Sequence, residues 1–202
     1  MNHKERMLAE LPYKSWLDGL LEERIQAKSL IHRYNTCRPP QTRKMERILR
    51  RLLGTVGRPI TIEPPFRCDY GYNIHIGDNF FANYNCIILD VAEVHIGNNV
   101  QFAPNVALYT AGHPVHAESR NSGWEFGIGI TIGDDVWLGG GAIVNPGVTI
   151  GSGSVIGAGS VVTKDIPPGV IAVGNPCRVV RDITEADRNR YFKDREFSDW
   201  ES

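Results

Sequence analysis

The segment IGDDVWLGGGAIVNPGVTIGSGSVIGAGSVV, Ile132 to Val162, repeats every six residues. From Ile132, each sixth position is aliphatic: Leu138, Val144, Ile150, Ile156 and Val162. The residues that follow them are Gly133, Gly139, Asn145, Gly151, Gly157 and Thr163, all small or tolerant of a turn. Four places after each start stand Val136, Ala142, Val148, Ser154, Ser160 and Ile166, again small or apolar. This is neither a helical nor a strand period. It describes a triangular coil in which an aliphatic chain points inward and the next residue turns a corner. Gly and Asn suit the corner because they accept positive φ. Such coils stack, pair their backbones with the coils above and below, and bury one continuous column. A β-sandwich would show alternating strands at irregular spacing instead. The expected fold class is therefore mainly β, a parallel solenoid.

The same register extends upstream. Ile76, Ala82 and Ile88 form one set, and Ile96, Phe102 and Leu108 another, with a two-residue insertion near Val94 between them. Leu108 and Ile132 are again separated by a multiple of six, but PVHAESRNSGWEFGIGIT, residues 114–131, carries little of the pattern. It reads as a loop extruded between two coils. The solenoid so defined spans residues 56–178.

The flanks differ. Residues 1–55 read as helical: Leu17, Leu20, Leu21, Ile25 and Leu30 stand near helical spacing, and Met45, Ile48, Leu49 and Leu52 resume it after RPPQT. The basic residues Arg43, Lys44, Arg47, Arg50 and Arg51 read as a solvated helix face. Residues 179–202 read as a C-terminal capping helix and tail, with Thr184 as N-cap and Asp187 as its capping-box partner. An open solenoid end needs such a cap.

Composition narrows the function. Hydrophobic residues make up 42% of 202 residues, enough for a packed core, and the net charge of −1 gives no overall field for drawing in nucleic acid. No apolar run is long enough to span a membrane, and MNHKERMLAELPYKSW has no apolar signal core. The expectation is a cytoplasmic protein with no nucleic-acid or membrane partner. Cys37, Cys68, Cys86 and Cys177 lack metal-type spacing and read as free thiols. Cys86, four places after the inward Ala82, reads as core.

YTAGHPVH, Tyr109 to His116, sits where the chain leaves the stack. By composition alone His113 there is a base, a metal ligand or loop filler. With FRCDYGYNIHIGDNFFANYNCIILDV, ITIGDDVWLGGGAIVNPGVTIG, SVIGAGSVVTKDIPPGV and GNPCRVVR, however, it resembles the maltose and galactoside O-acetyltransferases among the hexapeptide-repeat acyltransferases. The resemblance covers nearly the whole chain and is nearer the maltose branch, because the galactoside branch has a second acid where this chain has Val91. It implies a left-handed parallel β-helix, a homotrimer with active sites between subunits, and acetyl transfer from acetyl-CoA to a sugar hydroxyl.

The resemblance also implies site residues. His113 would be the general base, since a hydroxyl is a poor nucleophile near neutral pH and imidazole titrates near there. Asn83 would stand beside the acceptor hydroxyl or thioester, and Glu125 would orient His113. Asp69 and Asp90 would bind the acceptor. Trp137 would contact the pantetheine arm, Gly140 and Ala158 would leave room for it, and Thr163, Lys164, Arg178 and Arg181 would meet the coenzyme phosphates. His116 reads as structural or a minor contact. No metal is implied.

Two rivals stand beside this reading. His75, His95 and His113 each precede an inward position and could form an edge ladder, as in zinc-dependent hydratases of the same fold. A non-catalytic trimeric binding protein is the other.

Overall fold

The computed structural model describes residues 1–197. Its body is a triangular solenoid of parallel strands with three faces. Face I stacks Thr55–Val56, Ile74–Ile76, Val94–Ile96, Ile130–Ile132 and Thr149–Ile150. Face II stacks Ile60–Ile62, Phe80–Ala82, Gln101–Phe102, Trp137–Leu138, Val155–Ile156 and Val170–Val173. Face III stacks Arg67–Cys68, Ile87–Leu89, Ala107–Tyr109, Ile143–Val144 and Val161–Val162. The chain visits I, II and III in turn.

The hexad register is the core register. Ile132, Leu138, Val144, Ile150, Ile156 and Val162 are buried, as are Val136, Ala142, Val148, Ser154, Ser160 and Ile166. Ser154 and Ser160 fit inside because each hydroxyl donates to a backbone carbonyl, of Pro167 and Gly157 respectively. The positive-φ corner stands three places after the inward residue, not at the next one as the repeat implied. Gly133, Gly139 and Gly151 at that next place are glycine because a Cβ there would come within 2.6 Å of the adjacent coil's backbone. Asn79, Asn85, Asn99, Asn105 and Asp135 all have positive φ. Asn and Asp accept that conformation and add a bond glycine lacks. Asn79 Nδ2 donates to Asn99 and Asn99 Nδ2 to Asp135, at 3.0 and 2.9 Å, tying one corner coil to coil.

The faces differ outside. Face I shows Thr55, His75, His95, Thr131 and Thr149, a polar row. Face III shows Ile87, Ala107, Ile143 and Val161 above Arg67, an apolar row on the outer surface of the strands.

Helices close the N-terminal end. α1 (His3–Leu8) precedes α2 (Leu20–Asn35) and α3 (Thr42–Leu52), and the latter two join the solenoid core through Ala27, Ile31, Tyr34, Ile48, Leu49 and Leu52. The expected apolar stripe is displaced: the helix begins only at Leu20, which is buried, leaving Leu17 in the preceding turn, and Leu17, Leu21 and Ile25 are exposed. Tertiary packing selects the side carrying Ala27 and Ile31, whose spacing from Leu20 was equally helical. Arg50 is bound to its surroundings, donating to the carbonyls of Val56 and Gly57.

The C-terminal cap is a strand, not the expected helix. Arg178–Asp182 turns back antiparallel on Val170–Val173 and covers the last rung of face II. Its β-branched pair Val179 and Val180 favours extension. The Thr184–Asp187 capping box forms, yet it starts only a single 3-10 turn, Glu185–Asp187, before a small hairpin at Arg190–Phe192 and Arg195–Glu196. The end of the expected tail, residues 198–202, lies outside the described residues.

The extruded loop is shorter than its expected 114–131 limits, because Ile130 already pairs with Val94. It holds a short helix, α4 (Ala117–Asn121), that no repeat marked. No helix among the described residues is long and apolar enough to cross a membrane.

Candidate active site

The fold sorts most of the candidate residues onto two edges, while Trp137, Arg178 and Arg181 lie on strands of the face II sheet. Asn83 follows the face II strand Phe80–Ala82, so it lies on the edge between faces II and III. Gly140 and Ala158 lie higher on that edge. The stacking is direct: Asn105 N–H donates to the Tyr84 carbonyl, Gly141 N–H to Pro104 and Gly159 N–H to Gly140, each at 2.8 Å. Asp69, Asp90, His113, Thr163 and Lys164 all follow face III strands, and occupy the other edge, between faces III and I. Within one chain, the apolar face III separates the two groups.

His113 is exposed at the root of the loop. Ala111–Gly112 pairs antiparallel with Phe126–Gly127, Ala111 opposite Gly127 and Gly112 opposite Phe126. The next pair in that register is His113 and Glu125. No hydrogen bond joins their side chains among the described residues. Glu125 is instead held by its backbone: Tyr13 N–H donates to the Glu125 carbonyl at 2.9 Å, and Glu125 N–H to the Tyr13 carbonyl at 3.1 Å. Arg120 Nη1 steadies the loop by donating to the Pro114 and Val115 carbonyls. His116 is exposed just before α4.

The two aspartates have different places. Asp90 has no exposed surface. Its carboxylate accepts backbone N–H bonds from Asp69, Tyr70 and Gly71 at 2.9, 2.9 and 2.6 Å. It therefore organises the turn that presents Asp69, and direct contact with an acceptor is closed to it in this arrangement. Burial pushes the Asp90 carboxyl up to about 7, outweighing the N–H donors that favour its charged form. Asp69 is half-buried, and burial raises its carboxyl too, with Arg24 and Lys28 pulling the other way. Val91 is buried with Met7, Tyr13, Leu20 and Tyr70 in a small second core.

Asn83 is oriented as a donor. Its Oδ1 accepts the Tyr84 N–H at 2.8 Å, which leaves the Nδ2 hydrogens without a partner among the described residues. Trp137 stands outward on face II, 52% exposed. Gly140 and its neighbour differ in what demands glycine. A Cβ on Gly139 would meet Ala158 N at 2.6 Å, whereas one on Gly140 would meet only Pro104 O, at an ordinary 3.5 Å. Packing within the chain explains Gly139 and not Gly140. Thr163 and Lys164 are exposed. Arg178 Nη1 donates to the Cys177 carbonyl. Arg181 forks onto Asp187 with two 2.8 Å bonds, so an anion there would compete with a carboxylate.

The histidine ladder is corrected. His75 and His95 stack with ring centroids 4.9 Å apart, but the next rung opposite His95 is Thr131, because the loop carries His113 away from face I. Among the described residues no three His, Cys, Asp or Glu side chains converge on a metal-sized site. Cys86 is buried in the core, its thiol pushed up to about 12 by burial. The sequence reading missed Tyr13, Arg24 and Tyr70. They surround Asp69 and Glu125 electrostatically, yet lie outside the repeat, where no period marks them.

Comparison with known proteins agrees with the architecture. The family described as "Maltose acetyltransferase hexapeptide capping motif" matches residues 6–57, and "Bacterial transferase hexapeptide (six repeats)" matches residues 129–164. Galactoside O-acetyltransferase of Escherichia coli K12 is 49% identical over 190 residues, 94% of each chain. The crystal structure of a maltose O-acetyltransferase from Clostridium difficile 630 superposes with a TM-score of 0.90 at 55% identity, covering 92% of this chain and 99% of that one. A galactoside acetyltransferase in complex with coenzyme A superposes with a TM-score of 0.95 at 47% identity, covering 98% and 100%. With a capping helical segment, a hexapeptide solenoid and such likeness along nearly its whole length, the chain belongs to the maltose and galactoside O-acetyltransferase family of hexapeptide-repeat acyltransferases.

Proposed function

We propose that this enzyme moves the acetyl group of acetyl-CoA to a hydroxyl of a maltose- or glucose-type sugar, in sites formed between the subunits of a homotrimer. The observation that carries this reading is the split of the candidate residues onto two edges. One edge offers a base, His113, with Asp69. The other offers a donor, Asn83, with the open surface at Gly140 and Ala158. Neither edge makes a site alone. A neighbouring copy that laid its II–III edge against this chain's III–I edge would complete one, and would cover the apolar row of face III.

The chemistry then needs no enzyme-bound intermediate. The sugar hydroxyl gives its proton to the His113 imidazole as its oxygen bonds to the acetyl carbonyl carbon. The Asn83 Nδ2 donor meets the developing oxyanion. The carbon–sulfur bond breaks, and the imidazolium returns the proton to the departing thiolate. Asp69 binds acceptor hydroxyls, and Asp90 holds Asp69 in place. Trp137 borders the pantetheine arm. Thr163, Lys164, Arg178 and Arg181 bind the phosphates, Arg181 by exchanging Asp187 for phosphate oxygen. Glu125 stands across from His113 and orients it.

Acetyl transfer measured over maltose, glucose, other sugars and a galactoside is the test. Turnover with a maltose- or glucose-type sugar supports the acceptor assigned. Turnover with a galactoside alone would overturn that acceptor. Stoichiometric zinc, with activity lost to chelator, would overturn the mechanism.

A further inference from the structure

The N-terminal arm does more than close the solenoid. α2 and α3 supply the cap, while Met7 and Tyr13 of the arm before them form the second core with Leu20 at the start of α2, Tyr70 and Val91. From there the arm clasps the loop that runs from His113. Glu10 Oε1 accepts the Gly129 N–H at 2.8 Å. The Trp124 ring lies 5.7 Å from the His3 ring, and under the Arg6 and Lys14 cations at 5.6 and 5.3 Å. Trp16 fits against Gly123 so closely that a Cβ there would come within 2.1 Å of the indole. At the centre is the two-way backbone pairing of Tyr13 with Glu125.

The Tyr13 side chain carries the point further. It is wholly buried, and its hydroxyl is one of two buried side-chain oxygens that lack a hydrogen-bond partner among the described residues. A buried hydroxyl left unpaired costs free energy in the folded chain, which pairing in the bound state would recover. The Glu125 carboxylate stands within reach of this phenol, short of a formed hydrogen bond, and after burial it does most to hold the proton on the oxygen. The phenol is thus a proton donor kept beside the carboxylate opposite His113.

We propose that Tyr13 is a positioning residue for Glu125. The backbone clasp fixes the strand, and the phenol O–H engages the Glu125 carboxylate when acceptor and acetyl-CoA are bound. This rests on the reading that Glu125 acts beside His113. It makes the N-terminal arm a working part of the acceptor site.

The test is a double-mutant cycle of Tyr13→Phe, Glu125→Gln and the pair, read as kcat, KM for each substrate and Tm. Tyr13→Phe removes only an unpaired oxygen, so the fold and Tm are expected to hold. It should lower kcat/KM for the acceptor about tenfold, the scale of one hydrogen bond to a charged group. KM for acetyl-CoA should not move. In the Glu125→Gln background, where a neutral amide oxygen is the weaker acceptor, the same substitution should cost no more than about twofold. Wild-type kinetics for Tyr13→Phe, or a full tenfold loss on top of Glu125→Gln, would overturn the positioning role. A fully active Glu125→Gln beside an impaired Tyr13→Phe would overturn the role of Glu125 itself, with Tyr13 acting by another route.

Discussion

His113 and Glu125 are the residues that follow Gly112 and precede Phe126, the last pair of a two-residue antiparallel ladder at the root of the loop. The ladder joins an exposed base to a rigid stack, so the imidazole has a fixed origin. His113→Ala should therefore lower kcat by about a hundredfold or more, the usual worth of a positioned base. Its exposure predicts an unchanged Tm and retained coenzyme A binding by calorimetry. Unchanged turnover would remove His113 from the mechanism.

Asn83 presents a donor because Tyr84 N–H occupies its oxygen. Asn83→Ala should cost about a hundredfold in kcat, as for loss of one oxyanion donor, with little change in KM for acetyl-CoA. A rise in KM with kcat intact would make Asn83 a binding group instead.

The two edges predict complementation. Trimers of His113→Ala alone, or of Asn83→Ala alone, should be nearly inactive. Co-refolding the two variants in equal amounts should restore about a quarter of the wild-type sites, those pairing an intact His113 with a neighbour's intact Asn83. No recovery beyond the sum of the parents would place both residues in one subunit's site.

Gly139 and Gly140 are adjacent but should respond differently. Gly139→Ala drives a Cβ into the Ala158 backbone at 2.6 Å, and should destabilise by about 1–3 kcal/mol. Gly140→Leu has open space, so Tm should hold while KM for acetyl-CoA rises. Thermal melts beside acetyl-CoA titrations check both. An equal loss of Tm in the two variants would show that Gly140 also serves packing.

Asp90 links stability to pH. Its folded-state carboxyl lies at about 7, above the ordinary value, so its contribution is fully present at low pH and is lost as pH rises toward and through 7. Asp90→Asn cannot titrate. The stability difference, wild type minus Asp90→Asn, should shrink between about pH 4 and 7, the span of the shift, in urea titrations at the two values. A difference that grows with pH would show that the three N–H donors outweigh burial.

Much of this was legible in the chain. The hexads named every inward residue from Ile132 to Ile166 correctly, because each side of a coil repeats one local conformation. The loop was located by the loss of that period. The C-terminal cap was misread as a helix because a capping box marks where a helix can start, not how far it runs. The α2 stripe differs from the expected one because Leu21 and Ile25 share helical spacing with residues that packing buries, and Leu17 falls in the turn before the helix. Asp90 looked like a binding residue until its three N–H partners on the turn below were seen.

The sequence by itself determined the solenoid, since a corner needs only a residue that accepts positive φ and a side needs only an aliphatic chain beside a small one. Those are local requirements, repeated coil after coil. Only the tertiary structure decided which candidates share an edge, that Asp90 is closed off, and that the arm carrying Tyr13 reaches Glu125. These relations join residues far apart in the chain, and no local period constrains such contacts.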